Sequence, residues 1–282
     1  TDPDIYYERK ELGKLLIPQI LKEINYDLEN TIFSYIPNTA ETAFLGMIEG
    51  LEEHLAKTRK QAIMDGILFE ADLEKVLSFR PRIEKLVTKD VKARTFITAD
   101  AVRDSMVSSV YDTTFEVVRK DIDTVVIIDD SIVRGTTLEK SILTMLDRLN
   151  PKKIVVVSSA PQIRFPDCYG IDMSKMTDFV AFRATLKLLE DRNMEELIED
   201  VYTKCVTSIA TKDSNQENFV NALYTPFTDQ EISNKIADII RPKNLKADLS
   251  VIFQTVDNLH KACPNHSGDW YFTGNYPTKG GN

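Results

Sequence analysis

Histidine, cysteine, tryptophan and glycine are scarce in this 282-residue chain, with 3, 3, 1 and 10 copies. Cys168, Cys205 and Cys263 lack the spacing of a disulfide framework. A stapled secreted domain is therefore excluded, and a reducing cytoplasm is the expected home. His54, His260 and His266 form no cluster. Cys263-Pro264-Asn265-His266 has no second Cys/His pair elsewhere with which to build a zinc site. No apolar run reaches the roughly 20 residues a spanning helix needs, and no leader is visible at the start. With a net charge of −9 and no basic stripe, neither nucleic acid nor a membrane surface is an expected partner. Internal repeats and low-complexity segments are also missing. An anionic ligand here must rely on local cations, backbone amides or metal.

At 43% hydrophobic, the chain is long enough to bury a full α/β core. Its most informative stretch is Val125-Val126-Ile127-Ile128-Asp129-Asp130-Ser131-Ile132-Val133-Arg134-Gly135-Thr136-Thr137. The β-branched apolar run suits a parallel strand buried on both faces. Asp129 and Asp130 then fall at its carboxyl end, where open α/β sheets bind ligands. Ser131 to Thr137 can turn amides inward, with Gly135 supplying a positive φ and three hydroxyls adding donors. Thr136 and Glu139 fit a capping box, and Leu138, Ile142, Met145, Leu146 and Leu149 recur on one helical face. Pro151 stops that helix and Ile154 to Val157 makes a second buried strand. Residues 125–160 thus read as one βαβ unit with a phosphate-sized loop at a helix N-terminus.

Elsewhere the spacing predicts a helix over 5–29 broken near Pro18, a strand from Thr31 to Ile36, and a helix over 38–56. Residues 57–85 read as an insertion or flexible helical region, 92–98 as strand or loop, and 99–109 as a short helix. Residues 174–210, 229–240 and 246–262 read as helical.

The Asp-Asp-Ser-Ile-Val-Arg-Gly-Thr-Thr stretch resembles the phosphoribosylpyrophosphate (PRPP) motif of type I phosphoribosyltransferases, in the form found in the glutamine PRPP amidotransferase family. Other segments agree in order. They are Tyr6-Tyr7-Glu8-Arg9-Lys10-Glu11-Leu12-Gly13, Arg94-Thr95-Phe96-Ile97, Ser159-Ala160-Pro161, Arg164-Phe165-Pro166, Tyr169-Gly170-Ile171-Asp172, and Phe272-Thr273-Gly274 with Tyr276-Pro277-Thr278. The resemblance implies a type I phosphoribosyltransferase fold: a mostly parallel central sheet flanked by helices, with a helical C-terminal extension. It divides the chain into a transferase domain over 1–190, with an insertion at about 50–88, and a mainly helical extension over 191–282 packed on it.

The same resemblance implies roles for residues. Ser131, Ile132, Val133, Arg134, Gly135, Thr136 and Thr137 would bind PRPP with Asp129 and Asp130. Both aspartates and Thr39 would help hold Mg²⁺. Arg94 would meet the pyrophosphate, and Asp172 would line the acceptor or nucleotide pocket. Thr39 also fits a plain helix N-cap, and Asp172 a turn aspartate. Two departures stand out. Ala40 replaces a glycine common in the family's pyrophosphate loop, and Thr88-Lys89-Asp90-Val91 stands where Lys-Asn-Arg-Tyr is usual. Lys89 or Lys92 could replace the lost cation. Some members carry an iron–sulfur cluster, but Asp167, Gly268 and Tyr271 stand at cysteine positions, so none is expected.

The activity implied is Mg²⁺-dependent displacement of pyrophosphate from PRPP by ammonia, giving 5-phosphoribosylamine for purine synthesis. Glutamine would supply the ammonia through an N-terminal glutaminase domain. The chain opens on Thr1-Asp2-Pro3-Asp4, so it is expected to be an excised C-terminal portion or a processed product. A homotetramer inhibited by purine nucleotides is expected by the same resemblance. Two alternatives stay open: a nucleobase phosphoribosyltransferase, and a module that senses PRPP or purine nucleotides without turnover.

Overall fold

The computed structural model describes residues 2–66, 70–89, 111–113, 116–167, 173–211 and 218–276. The chain runs α1 (Pro3–Leu15), α2 (Ile17–Glu23), β1 (Thr31–Tyr35), α3 (Glu41–Met64), α4 (Glu70–Ser78), β2 (Arg82–Ile83), β3 (Val87–Lys89), β4 (Tyr111–Thr113) and β5 (Thr124–Asp129). A π-helical turn, Leu138–Ile142, then leads into α5 (Leu143–Asp147). There follow β6 (Lys153–Ser158), α6 (Val180–Asp191), α7 (Glu196–Thr211), α8 (Asn221–Tyr224), α9 (Asp229–Ile240), β7 (Asp248–Phe253), α10 (Val256–Ala262) and α11 (Trp270–Thr273).

Five strands form one parallel sheet in the order β2-β1-β5-β6-β7. The expected α/β architecture, a parallel central sheet flanked by helices, is the one observed. Val125 to Ile128 and Ile154 to Val157 are completely buried. Because successive strand residues face opposite ways, each strand feeds two cores. Ile32, Val125, Ile127, Ile154, Val156 and Val251 pack with α5, α6 and α9 on one face. Phe33, Val126, Ile128, Val155, Val157 and Ile252 pack with Leu16, α2 and α3 on the other. Each such side chain contributes about 1.5–3 kcal/mol on burial. On the second face α1 and α3 meet backbone to backbone. A Cβ on Gly13 would lie 1.7 Å from Ala43 O, so only glycine permits that approach.

The amino edge of the sheet is tied by a buried charge. Asp123, fully buried, accepts hydrogen bonds from Arg119 N (2.6 Å) and Arg119 Nε (2.9 Å). Arg82 Nη1, at the start of β2, lies 2.7 Å from Asp123 Oδ1 as an ion pair off the hydrogen-bond axis. Arg119 Nη2 also donates to Glu29 O, 2.9 Å away. One carboxylate thus links β2, the approach to β5 and the approach to β1.

Three local readings need correcting. β7 lies inside the stretch read as helix over 246–262, and only Val256–Ala262 there is helical. It pairs with β6, Val156 opposite Val251, so the central sheet takes a strand from beyond residue 190. Within 57–85 the helical reading holds for the end of α3 and for α4, but β2 is an unexpected strand and joins the sheet beside β1. The Thr136–Glu139 capping box does not form: Glu139 N–H donates to Gly135 O at 3.0 Å, and Thr137 stands at the N-cap of the π turn without a side-chain cap bond. The readings over 92–98 and 99–109 lie outside the described residues.

Candidate functional site

The carboxyl ends of β1, β5 and β6 lie side by side, with Tyr35 opposite Ile128 and Asp129 opposite Ser158. β5 delivers Asp129 and Asp130 to this rim half-buried. Each carboxylate folds back on the following amide: Asp130 N donates to Asp129 Oδ1 (2.9 Å), and Ser131 N to Asp130 Oδ1 (2.8 Å). β6 fixes their backbone. Ser159 N donates to Asp129 O (2.9 Å), while Ala160 N and Ser159 Oγ both donate to Asp130 O (3.1 Å each). The aspartates are thus pinned on their backbone side.

The loop then turns at Gly135, whose φ is +74°. Its Cα is wedged against α9: a Cβ would lie 2.6 Å from Ile240 Cγ2. The amides of Gly135, Thr136 and Thr137 donate no hydrogen bond within the chain, among the described residues. Consecutive amides of this kind at a helix start attract an anion. Thr136 and Thr137 are exposed beside them, whereas Ile132 is buried and anchors the loop from below. Arg134 pairs with Asp178 at 3.2 Å, which the motif alone does not foretell.

Thr39 follows β1 on the same rim. It is exposed, and its hydroxyl makes no hydrogen bond among the described residues. The N-cap of α3 is Ala40, without a side-chain cap bond, so the N-cap reading of Thr39 does not hold. The Pro37–Asn38 peptide just before it is cis. Tyr35 closes β1 beneath this loop. Burial, then the neighbouring Glu41 carboxylate, push its phenol above the ordinary value. Arg94 and Asp172 lie outside the described residues, as does Lys92, and nothing is described of the Lys89 side chain.

Arg164-Phe165-Pro166 and the described part of the tail also come together. Arg164 N and Phe165 N both donate to Tyr271 O, at 2.8 and 3.0 Å. Asp167 Oδ1 accepts from Tyr271 Oη at 3.1 Å, and Tyr276 Oη donates to Pro166 O at 2.7 Å. The tail motif is therefore packed along the loop that leaves β6. Cys205 and Cys263 are free thiols.

The donor set at the rim consists of two carboxylates and the Thr39 hydroxyl. Among the described residues no group of three or more His, Cys, Asp or Glu side chains could hold a metal ion by itself. Such an oxygen-only, incomplete set fits Mg²⁺, which binds through one or two carboxylates and takes its other oxygens from substrate and water. No helix among the described residues is long and apolar enough to cross a membrane.

No protein-family model matches the chain. It is 30% identical over 214 residues to an amidophosphoribosyltransferase of Lachancea kluyveri, an alignment covering 72% of this chain and 35% of that protein. With the Escherichia coli amidophosphoribosyltransferase it shares 51% identity over 57 residues, 20% of this chain and 11% of the relative. This chain is a relative of the amidophosphoribosyltransferases. Among solved structures, the Bacillus subtilis glutamine PRPP amidotransferase complexed with ADP and GMP matches 98% of this chain and 43% of its own, at a TM-score of 0.53 and 22% identity. That likeness is one of fold. The chain spans less than half the length of these amidophosphoribosyltransferases.

Proposed function

We propose that this chain is the phosphoribosyl-transferring portion of an amidophosphoribosyltransferase. The observation that carries the reading is the loop 131–137, its three amides unspent, set directly behind two carboxylates at the carboxyl end of β5. The loop binds the 5-phosphate of PRPP, and Asp129 and Asp130 take the ribose hydroxyls. Thr39 and Arg94 serve the pyrophosphate, and Asp172 the acceptor or nucleotide side. Mg²⁺, when bound by the aspartates, Thr39 and the substrate's oxygens, supplies neutralising charge for the departing diphosphate.

The reaction forms a C–N bond from ammonia to ribose C1 as the C–O bond to pyrophosphate breaks, and the nitrogen then loses a proton. No side chain becomes a nucleophile. Rate comes from holding C1 in line and from stabilising leaving-group charge. In a fuller protein, glutamine supplies the ammonia through a separate glutaminase domain; the product, 5-phosphoribosylamine, feeds purine synthesis. Inhibition by purine nucleotides, a tetrameric assembly and a cytoplasmic setting belong to the same proposal.

Titrating PRPP into the chain by calorimetry, with and without Mg²⁺, tests the ligand assignment. One PRPP per chain, bound about tenfold more tightly with Mg²⁺, is the expected result. No heat of binding under either condition contradicts it. Binding that requires a purine base favours a nucleobase transferase instead.

A further inference from the structure

Behind the loop stands an arginine that no motif marks. Arg183, in the first turn of α6, donates through Nη2 to the carbonyl oxygen of Arg134 at 2.7 Å. Its Nε is buried and has no hydrogen-bond partner. One residue earlier in the loop, Val133 O accepts from Val180 N at 2.8 Å. The Arg134 guanidinium is drawn toward the same helix start by Asp178. Two successive loop carbonyls therefore face α6. In a trans peptide the C=O and the following N–H point opposite ways. Holding Val133 O and Arg134 O on the helix side aims the Arg134 and Gly135 amides away from it.

We propose that Arg183 is a positioning residue for the anion site: by fixing the Arg134 carbonyl it orients Gly135 N–H, and the amides after it, toward the 5-phosphate of PRPP. The assignment rests on the phosphoribosyl reading for the identity of the anion, but the loop geometry stands independently of it. Arg183 touches no substrate atom; it acts through the loop backbone. Its guanidinium also places a positive charge behind a loop whose own arginine is paired with Asp178. A lysine can supply that charge and N–H donors at a single point, but not the planar fork that spans to a carbonyl from a helix side.

The test uses Arg183→Met, Arg183→Lys and, as a control, Lys187→Met, an exposed position on the same helix. Backbone amide order parameters of residues 131–137 are measured by NMR relaxation without ligand, and kcat and KM for PRPP are measured with excess ammonium and Mg²⁺. Arg183→Met is expected to raise KM about tenfold, to leave kcat within about threefold, and to lower the loop order parameters from about 0.85 to below about 0.6. Arg183→Lys falls between it and wild type, and Lys187→Met matches wild type. Unchanged KM together with unchanged order parameters overturns the proposal. So does a loss confined to kcat. Should Arg183→Met not fold, Arg183→Lys decides, with unchanged KM and order parameters as the contrary result. If the wild-type chain neither binds nor consumes PRPP, the phosphoribosyl reading fails, and loop order alone decides whether Arg183 shapes the loop.

Discussion

Asp123→Ala is expected to lower the unfolding free energy by about 3 kcal/mol, read from the urea midpoint at neutral pH. The carboxylate is fully buried and serves Arg119 N, Arg119 Nε and Arg82 together. Removing it strands a backbone amide and leaves two guanidiniums facing each other across the sheet edge. Both arginines keep partial access to water, with 46% and 28% of their side chains exposed, which holds the loss toward the lower end for a buried pair. The same group gives an acid signature. Burial alone would raise its pKa, but hydrogen bonds from Arg119 and the adjacent Arg82 charge outweigh that and hold it below the ordinary aspartate value. The unfolded chain therefore binds the proton more readily. The stabilisation is complete above about pH 4 and is lost as pH falls through the lower folded value. Asp123→Ala should flatten that part of the acid-unfolding curve, and an unchanged curve would contradict the assignment.

Gly135→Val should weaken PRPP binding by about 100-fold and cost about 2–4 kcal/mol of stability. Two causes add. At φ +74° a β-branched residue is strained, and its Cβ would press to 2.6 Å from Ile240 Cγ2. Ile240 is buried in α9, so the loop must give way, and with it the three amides proposed to hold the phosphate. Calorimetry with PRPP and a thermal melt separate the two effects. Wild-type affinity in a folded Gly135→Val chain would show that the phosphate is held elsewhere.

How much of this was legible beforehand varies by element. β5 and β6 announce themselves because each is a β-branched run buried on both faces. β7 does not: Asp248 and Ser250 interrupt Asp-Leu-Ser-Val-Ile-Phe, and a short apolar run of that kind also fits a buried helix. β2 has two residues after Pro81 and no period to read, and its place beside β1 is accompanied by the ion pair of Arg82 with Asp123. The extension of α3 to Met64 carries few periodic apolars, so pattern allows a helix there without showing that it continues α3. At the site, the loop and both aspartates follow from a local motif whose chemistry is contained in nine adjacent residues. The residues that shape the loop are not local. Asp178 and Arg183 contact Arg134 from 44 and 49 positions away, and Ile240 reaches Gly135 from a separate helix. Only the folded chain brings them together.

Whether the loop after β5 presents PRPP for attack by ammonia is decided by following pyrophosphate release from PRPP with Mg²⁺ and ammonium, wild type beside Asp130→Asn. Ammonium-dependent release by the wild type, at least about 100-fold slower in Asp130→Asn, is the result predicted. No release above background from the wild type, with Asp130→Asn behaving identically, would contradict it.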